Sequence, residues 1–170
     1  MNRLGRDFYI RDVLEVAPGL LGKKLVRVMD NGKIIEVVIS EVEAYRGEED
    51  EACHARKGRT ERNSIMYDEG GRLYLYLIYG MYWMLNVVTG KRNDPQAVLI
   101  RGLLEVDGPG RLTRYLGLDK SFYGIHLADS GLIWIEEGVP GPEYETTPRI
   151  GIEYAGEYWK SRPWRYVMKI

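Results

Sequence analysis

Two pairs of apolar segments, each joined by a short turn that contains glycine, constrain the fold of this chain more than any other feature. Residues 25–29 and 34–42 flank an Asn-Gly dipeptide, the strongest short signal for a β-hairpin between apolar runs. Residues 72–78 and 81–88 flank Gly80, and glycine between two apolar strands marks a tight turn or bend. We therefore expect two antiparallel hairpins, with Tyr79 at the projecting tip of the second.

The second arm of the first hairpin changes character along its length. Three aliphatic residues alternate with other residues at the two-residue period of a strand: Ile35, Val37 and Ile39. Continuing that period adds two carboxylates and a phenol to the same face: Glu41, Glu43 and Tyr45. The pattern predicts a strand that runs out of the core into a cleft or solvent. An edge strand with solvated glutamates is the alternative that it leaves open.

The second hairpin is rich in phenol rings. Tyr74, Tyr76, Tyr79 and Tyr82 fall within nine residues, and the first two share one strand face opposite three leucines. Tyrosine is a good strand former, so ordinary sheet packing is one explanation. Four rings nevertheless exceed what packing needs. Asn86 is a polar group in an apolar run; if buried it needs hydrogen-bond partners, either as a structural cap or as an amide that gives specificity.

A polar segment connects the two hairpins. Its first half, residues 48–51, is acidic, and its second half carries a cluster of basic side chains: His54, Arg56, Lys57, Arg59 and Arg62. A lone basic loop is usually only solvated. Beside an aromatic wall, however, it supplies the two features that hold nucleic acid, which are cations for phosphates and flat rings for bases.

The rest of the chain indicates further strands and a few helices. Asp7 can cap a helix that ends or kinks at the Pro-Gly of residues 18–19. We expect further helices at residues 61–67 and 111–116. Residues 97–104 and 132–136 have the pattern of strands, whereas 138–148 is expected to be a loop. These elements predict an α+β fold with a curved, mostly antiparallel β-sheet core and a few flanking helices. We expect residues 1–170 to form a single domain.

Composition excludes several classes of function. One cysteine, Cys53, and two histidines cannot form a multi-cysteine metal site or an internal disulfide, so we expect no metal and no cofactor. A net charge of -1 argues against binding nucleic acid by bulk charge, which leaves a local basic face such as residues 149–170. Without a membrane span or targeting segment, we expect a soluble monomer, cytoplasmic and nucleoid-associated in a prokaryote or nuclear in a eukaryote.

A series of ordered motifs runs through roughly residues 15–165. It comprises these segments: Leu20-Leu21-Gly22-Lys23-Lys24-Leu25-Val26, Glu41-Val42-Glu43-Ala44-Tyr45, Glu49-Asp50-Glu51-Ala52 with His54, Arg62-Asn63, Ile78-Tyr79-Gly80-Met81-Tyr82, Val98-Leu99-Ile100-Arg101, Gly108-Pro109-Gly110-Arg111-Leu112 and Arg149-Ile150-Gly151-Ile152 with Ala155-Gly156-Glu157. The series resembles the alkyladenine (3-methyladenine) DNA glycosylase family of the mammalian type. Ordered motifs over this length are far more specific than any single short pattern.

The resemblance implies a reaction and a partner. The expected enzyme is a DNA-3-methyladenine glycosylase of base excision repair. It hydrolyses the N-glycosidic bond of an alkylated or deaminated purine, of the 3-methyladenine or hypoxanthine type, after base flipping. Its partner is double-stranded DNA that carries a damaged purine. No lysine matches a nucleophile position, so the enzyme is expected to be monofunctional, with neither a Schiff base nor a lyase step.

The resemblance also implies roles for individual residues. Glu43 matches the catalytic base that activates a water, and Arg101 matches the arginine beside that water. The stacking residues of the base pocket are matched by three rings: Tyr45, His54 and Tyr76. Asn86 matches the position that screens the edge of the purine, and Tyr79 matches the intercalating residue. A further motif is assigned to contact with the DNA backbone or to loop support: Arg59, Arg62 and Asn63.

One departure and two alternatives accompany this resemblance. Only six residues separate Arg101 from Gly108, where family members usually carry a longer segment, and this difference bears on the substrate range. A noncatalytic nucleic-acid-binding domain would also explain the aromatic and basic residues. A glycoside hydrolase would use Glu41 with Glu43, whose spacing of about 7 Å along a strand lies between the usual carboxylate separations of the two mechanisms.

Overall fold

The structure is a computed structural model that describes residues 2–170. Within this range lie four α-helices: α1 (Arg6–Tyr9), α2 (Val13–Leu20), α3 (Pro109–Tyr115) and α4 (Glu157–Lys160). It also contains eight strands: β1 (Lys24–Val28), β2 (Ile34–Arg46), β3 (Leu73–Ile78), β4 (Tyr82–Thr89), β5 (Gln96–Leu103), β6 (Ile133–Glu136), β7 (Tyr144–Thr147) and β8 (Arg165–Met168). Three short 3₁₀ helices complete the elements: His54–Lys57, Ser64–Tyr67 and Lys120–Phe122.

The strands of residues 2–170 form one curved antiparallel sheet in the order β3-β4-β5-β2-β1-β6. β8 adds to β2 beyond the end of β1, and β7 pairs only with β8. β2 is the longest strand and pairs with β1, β5 and β8, so it is the central organising element. This arrangement confirms the α+β fold with a mostly antiparallel sheet.

Both predicted hairpins are present. β1 and β2 pair in register from Lys24–Val38 to Val28–Ile34, and β3 and β4 pair from Leu73–Val87 to Ile78–Tyr82. Along β3 the two faces separate as the sequence predicts. The leucines at positions 73 and 75 enter the main core, whereas the tyrosines at 74 and 76 belong to a second, aromatic cluster.

Strand β2 changes which of its residues face the main core halfway along its length. Val37 and Ile39 point into that core, but the register with β5 shifts between Ile39 and Val42 in a β-bulge. Beyond the bulge, the core residues are Val42 and Ala44. β2 has one extra residue before Glu41 and β5 has one extra residue after it, and the extra residue in β2 reverses the faces of the side chains that follow. The prediction of one common face was therefore wrong, since three residues lie on the opposite, aromatic side: Glu41, Glu43 and Tyr45.

Two of the helices, α2 and α3, cover the face of the sheet that carries the main core. α2 packs against β2 and β5, and α3 packs against β4 and β5. The predicted N-terminal helix is divided in two, and its cap is Asp12 rather than Asp7. The Asp12 carboxylate accepts a hydrogen bond of 2.8 Å from the Leu14 amide and starts α2 after a break at residues 10–12. Among residues 2–170, no helix has both the length and the apolar composition needed to cross a membrane.

The predicted loop at residues 138–148 contains a strand that the sequence pattern concealed. Residues 144–147, with the sequence Tyr-Glu-Thr-Thr, form β7 and pair with β8. Tyrosine and threonine favour strands, but the flanking prolines and glycines indicate turns. Because β7 lies at an edge of the sheet and is largely exposed, it lacks the apolar alternation that would have revealed it.

Candidate active site

The aromatic side of the sheet encloses a cavity of about 410 Å³. Its walls come from the β3–β4 hairpin, the end of β2, β5, the turn at His54 and the segment after Arg149. The lining residues are Tyr45, Ala52, His54, Met66, Tyr74, Tyr76, Ile78, Tyr79, Met84, Asn86, Ala97, Leu99, Arg101, Pro109, Ile150, Gly151, Ile152 and Tyr154. Strand pairing of β2 with β5, and of β5 with β4, brings these distant parts of the sequence together.

Glu43 lies at the edge of this cavity and is fully buried. Its Oε1 accepts a hydrogen bond of 2.7 Å from the Tyr45 hydroxyl and lies 3.6 Å from Arg101 Nη1. Its Oε2 accepts a hydrogen bond of 2.7 Å from the backbone amide of Ile150. All three partners line the cavity, so the carboxylate is directly behind the cavity surface.

Burial controls the protonation of Glu43. Removal from water disfavours the charged carboxylate and raises its pKa above the ordinary value. The positive charge of Arg101 opposes this effect most strongly, followed by the Ile150 amide, the Tyr45 hydroxyl and the charge of Arg149. The net result is a raised pKa, because desolvation is the largest contribution. The arginines limit the rise and favour the ionised form.

Arg101 has the carboxylate partners that a lone arginine on an apolar strand requires. Its Nε lies 3.3 Å from Glu41 Oε2, while Nη1 faces Glu43. Glu41 is held in addition by Arg165, whose Nε donates to the same oxygen at 2.7 Å. The two glutamates therefore differ: Glu41 is bound between two arginines, whereas Glu43 shares one arginine with it.

The three predicted stacking rings all line the cavity: Tyr45, His54 and Tyr76. The rings of His54 and Tyr76 lie 4.3 Å apart between centroids and are tilted by 59°. His54 Nδ1 is 2.8 Å from the hydroxyl of Tyr74, which fixes the imidazole. Burial, together with the charges of Arg62 and Arg56, lowers the pKa of His54 to about 4. The ring is therefore neutral at pH 7.

Asn86 projects from β4 into the same cavity and is buried. Its amide nitrogen donates to the carbonyl of Tyr74 at 3.2 Å, across the β3–β4 pair, and lies 3.5 Å from the carbonyl of Met84. The hydrogen-bond partners that a buried amide needs are thus backbone groups of the hairpin, and they fix the orientation of the side chain.

Tyr79 occupies the tip of the β3–β4 hairpin, as the Tyr-Gly sequence predicts. Its side chain is 87% exposed, and its φ of 52° lies in the left-handed region that non-glycine residues rarely adopt. Gly80 follows with a φ of 65°, so the two residues form the turn. A large ring is thereby held in solvent at the mouth of the cavity.

The basic loop separates into exposed and buried members. Arg59 and Arg62 are exposed, and their guanidinium groups lie over the rings of Tyr67 and Tyr76, at 5.6 and 5.1 Å. Asn63 is buried, and its amide bonds to the backbone of Thr60, His54 and Gly58 within the loop. A second cavity, of about 450 Å³, shares this loop and is lined in part by cationic side chains: Arg56, Lys57 and Arg62.

The basic segment 149–170 is not a uniformly exposed surface. Arg149 is buried, and its guanidinium binds the Asp50 carboxylate through two nitrogens at 2.6 and 2.9 Å. Arg165 is paired with Glu41. The sequence motifs include Asp50, Arg149 and Ile150, but nothing in their spacing indicated that they meet beside Glu43. The prediction of a single basic face at residues 149–170 came from counting charges in the sequence, and burial and ion pairing remove two of those charges from the surface.

Comparison with known proteins gives the same family along nearly the whole chain. The family model described as methylpurine-DNA glycosylase (MPG) matches residues 7–108 and 103–170. Three relatives carry the name "Putative 3-methyladenine DNA glycosylase". The protein of Methanocella arvoryzae is 41% identical over 99% of this chain and 94% of its own length. Those of Desulfitobacterium hafniense and Sodalis glossinidius are 40% and 43% identical, over 99% and 96% of this chain and 96% and 95% of theirs.

The family model breaks at residues 103–108, where its two matches overlap. This is the short connection after Arg101, in which a tight turn leads from β5 to α3. The two matches together nevertheless include every candidate site residue, from Glu43 to Arg101. The chain therefore belongs to the methylpurine-DNA glycosylase family, which hydrolyses N-glycosyl bonds in DNA.

Proposed function

We propose that this protein is a monofunctional DNA glycosylase that excises alkylated or deaminated purines, of the 3-methyladenine or hypoxanthine type, from double-stranded DNA. One observation carries the proposal: a buried carboxylate, Glu43, lies behind the wall of an aromatic cavity and beside an arginine, Arg101. A cavity of aromatic rings suits a flat base, and a desolvated carboxylate beside it suits the activation of one water.

In this proposal Glu43 is the general base. The 3.6 Å separation between Glu43 Oε1 and Arg101 Nη1 is longer than a hydrogen bond, so both groups can bind one common water. Glu43 removes a proton from that water as its oxygen attacks C1′ of the deoxyribose. The carboxylate charge also stabilises the oxocarbenium character that develops at C1′ when the bond to the base nitrogen breaks. The electron pair of that bond stays on the base, so that a cationic alkylpurine leaves as a neutral molecule and hypoxanthine takes up a proton from solvent. Arg101 holds the water and favours the ionised form of Glu43.

The aromatic walls account for selection of the damaged base. Tyr45, His54 and Tyr76 line the cavity, and a positively charged alkylated purine against such rings gains about 0.5–2 kcal/mol from cation–π attraction. The neutral state of His54 supports this role, because a protonated imidazole would repel a cationic base. Asn86, held by backbone bonds, is assigned to screen the edge of the purine.

Base flipping is assigned to the hairpin tip. A flipped nucleotide leaves a gap in the duplex that a side chain must fill, and the exposed ring of Tyr79 is suited to intercalate there. Arg59 and Arg62, both exposed on the neighbouring loop, are assigned to phosphate contact. Asn63 is assigned to support of that loop, since its amide is engaged with loop backbone.

Two further features bear on the reaction class. Among residues 2–170, no lysine lines the 410 Å³ cavity, which supports hydrolysis by water rather than a Schiff base. Glu41 is held by two arginines, which argues against a glycoside hydrolase that uses it with Glu43 as an acid–base pair. We propose that the enzyme acts as a monomer on chromosomal DNA within the cytoplasm.

The test is release of free base from duplex DNA that carries one hypoxanthine or one 3-methyladenine, under single-turnover conditions. The wild-type protein should release the base and leave an intact abasic strand, with no product trapped by borohydride. Glu43→Gln should release at least about 10²-fold less, as expected for the loss of a general base. Unchanged release by Glu43→Gln would refute the role of Glu43, and DNA binding without release by the wild type would favour a noncatalytic domain.

A further inference from the structure

The second oxygen of Glu43 is held by a segment from the other end of the chain. Glu43 Oε2 accepts its 2.7 Å hydrogen bond from the amide of Ile150, which is 107 residues away in sequence. This backbone donor sets the rotation of the carboxylate and leaves Oε1 toward Arg101 and Tyr45. The position of the Ile150 amide therefore determines the direction in which Oε1 points.

Arg149, the residue before this donor, is held through both of its terminal nitrogens. Its two terminal nitrogens bind both oxygens of Asp50, and neither side chain has any exposed surface. Nη1 also donates to the carbonyl of Ala44 at 3.0 Å, directly after Glu43 in β2. The guanidinium carbon lies 4.9 Å from the ring centroids of both Tyr45 and Trp164.

Asp50 connects this anchor to the base pocket. Its Oδ2 accepts from the Arg46 amide and its Oδ1 from the Ala52 amide, each at 3.0 Å. These bonds order the turn that follows β2 and leads to His54. One ion pair thus ties together the end of β2, the turn before His54 and the segment that carries the Ile150 amide.

We propose that the Asp50–Arg149 ion pair is a positioning element for catalysis, which holds the Ile150 amide against Glu43 and sets the electrostatic environment of that carboxylate. The inference rests on the proposed role of Glu43 as the base. A fully buried ion pair is seldom a net source of stability compared with apolar side chains. Arg149 directly precedes the amide donor and binds the carbonyl of Ala44, the residue after Glu43, and this placement calls for another role. Neither Asp50 nor Arg149 lines the cavity, and both act through other groups.

The pH dependence of base release distinguishes a positioning role of the ion pair from a purely structural one. The groups around Glu43 are Arg101 from β5, Glu41 and Tyr45 from β2, Tyr76 from β3, Arg165 from β8, and Arg149 with Asp50. Removing the negative charge of Asp50 leaves Arg149 unneutralised and favours ionised Glu43. Removing the positive charge of Arg149 has the opposite effect. A purely structural ion pair would produce neither shift.

The experiment measures single-turnover base release from a hypoxanthine duplex between pH 4 and 9 for wild type, Asp50→Asn and Arg149→Gln, at a temperature at which circular dichroism shows each to be folded. Asp68→Asn is the matched control, because Asp68 forms partly exposed ion pairs with Arg72 and Arg92 and does not line the cavity. Both test variants should lose about 10²-fold in rate as the carboxylate loses its alignment. The acid limb of the pH–rate profile, where base release falls at low pH, should move by about one pH unit. The shift should be downward for Asp50→Asn and upward for Arg149→Gln.

Acid limbs that coincide with wild type in both variants would overturn the inference, whatever happens to the rate. If Arg149→Gln does not fold, the downward shift of Asp50→Asn decides alone. Glu43→Gln in the same assay separates the two proposals. Wild-type release by Glu43→Gln refutes the proposed base, whereas loss in Glu43→Gln with unmoved limbs in the other variants refutes only the positioning role.

Discussion

Two carboxylate–arginine pairs meet at Tyr45, and they are built differently. Asp50 and Arg149 form a two-pronged pair with contacts of 2.6 and 2.9 Å, and both side chains are completely buried. Glu43 and Arg101 approach only to 3.6 Å, and the arginine keeps 17% of its side chain exposed. Tyr45 contacts both, with its hydroxyl on Glu43 and its ring beneath Arg149.

The difference indicates that the Asp50–Arg149 pair supports the site and that the Glu43–Arg101 pair carries out the chemistry. Both carboxylate oxygens of Asp50 and both terminal nitrogens of Arg149 are engaged with each other and with the backbone, and neither side chain is exposed to a reactant. In the Glu43–Arg101 pair the longer separation leaves both groups free to bind a shared water. A carboxylate that is well satisfied by its neighbours is a poor base, and one whose pKa is raised by burial is a better one. The first pair holds the second in position.

The largest expected effect that distinguishes the pairs is on stability. Arg149→Ala should lower the free energy of unfolding by about 3–5 kcal/mol, because it leaves the Asp50 charge buried without its partner. Arg101→Ala should cost less than half as much, since Arg101 is 17% exposed and lies beyond hydrogen-bond distance of Glu43, and Glu41 keeps Arg165. Urea unfolding followed by circular dichroism measures both. Equal losses would contradict the proposed division between the pairs.

A smaller effect is expected at the hairpin tip, which touches neither pair. Tyr79→Ala should slow base release from duplex DNA by about 10- to 100-fold, because filling the gap offsets a few kcal/mol of unstacking. The loss should shrink when the lesion lies opposite a mismatch, and the acid limb of the pH profile should stay in place. Tyr144→Ala, another exposed tyrosine on edge strand β7, is the control. A moved acid limb would mean that Tyr79 acts on the carboxylate.

The smallest effect is a pH dependence that belongs to Glu43 alone. Because burial raises its pKa, base release should fall with decreasing pH at a midpoint above that of an ordinary glutamate. In the window between the ordinary and the raised pKa, the folded state binds this proton more tightly than the unfolded chain. The free energy of unfolding should therefore fall as pH rises through that window, and Glu43→Gln should flatten this slope. A midpoint at or below the ordinary value would contradict the assigned burial effect.

The parts of this molecule that sequence reasoning reached are those with a local signal. The Asn-Gly and Tyr-Gly turns indicated both hairpins, and the strand alternation separated the tyrosines from the leucines of β3. The β-bulge in β2 has no such signal, because an extra residue in one strand becomes visible only against its partner. This irregularity in the pairing of β2 with β5 moved Glu43 from the expected face to the opposite one.

No local sequence pattern could predict the supporting contacts around the site, for a similar reason. Asp50 and Arg149 are 99 residues apart, and each is merely a charged residue in a polar segment when viewed in sequence. The Ile150 contribution is a backbone amide, which any residue type would provide. Such groups can be assigned only once the sheet has brought the ends of the chain together. The family resemblance thus indicated Glu43 and Arg101 as site residues, while their orientation required the fold.

The central claim, that Glu43 performs chemistry which the aromatic cavity alone cannot, is tested most directly by separating binding from base release. The measurement compares wild type and Glu43→Gln on one hypoxanthine duplex, with the dissociation constant and the single-turnover rate taken from the same preparation. We predict an affinity within about threefold of wild type and a rate reduced by at least about 10²-fold. Base release by Glu43→Gln at the wild-type rate would contradict the account.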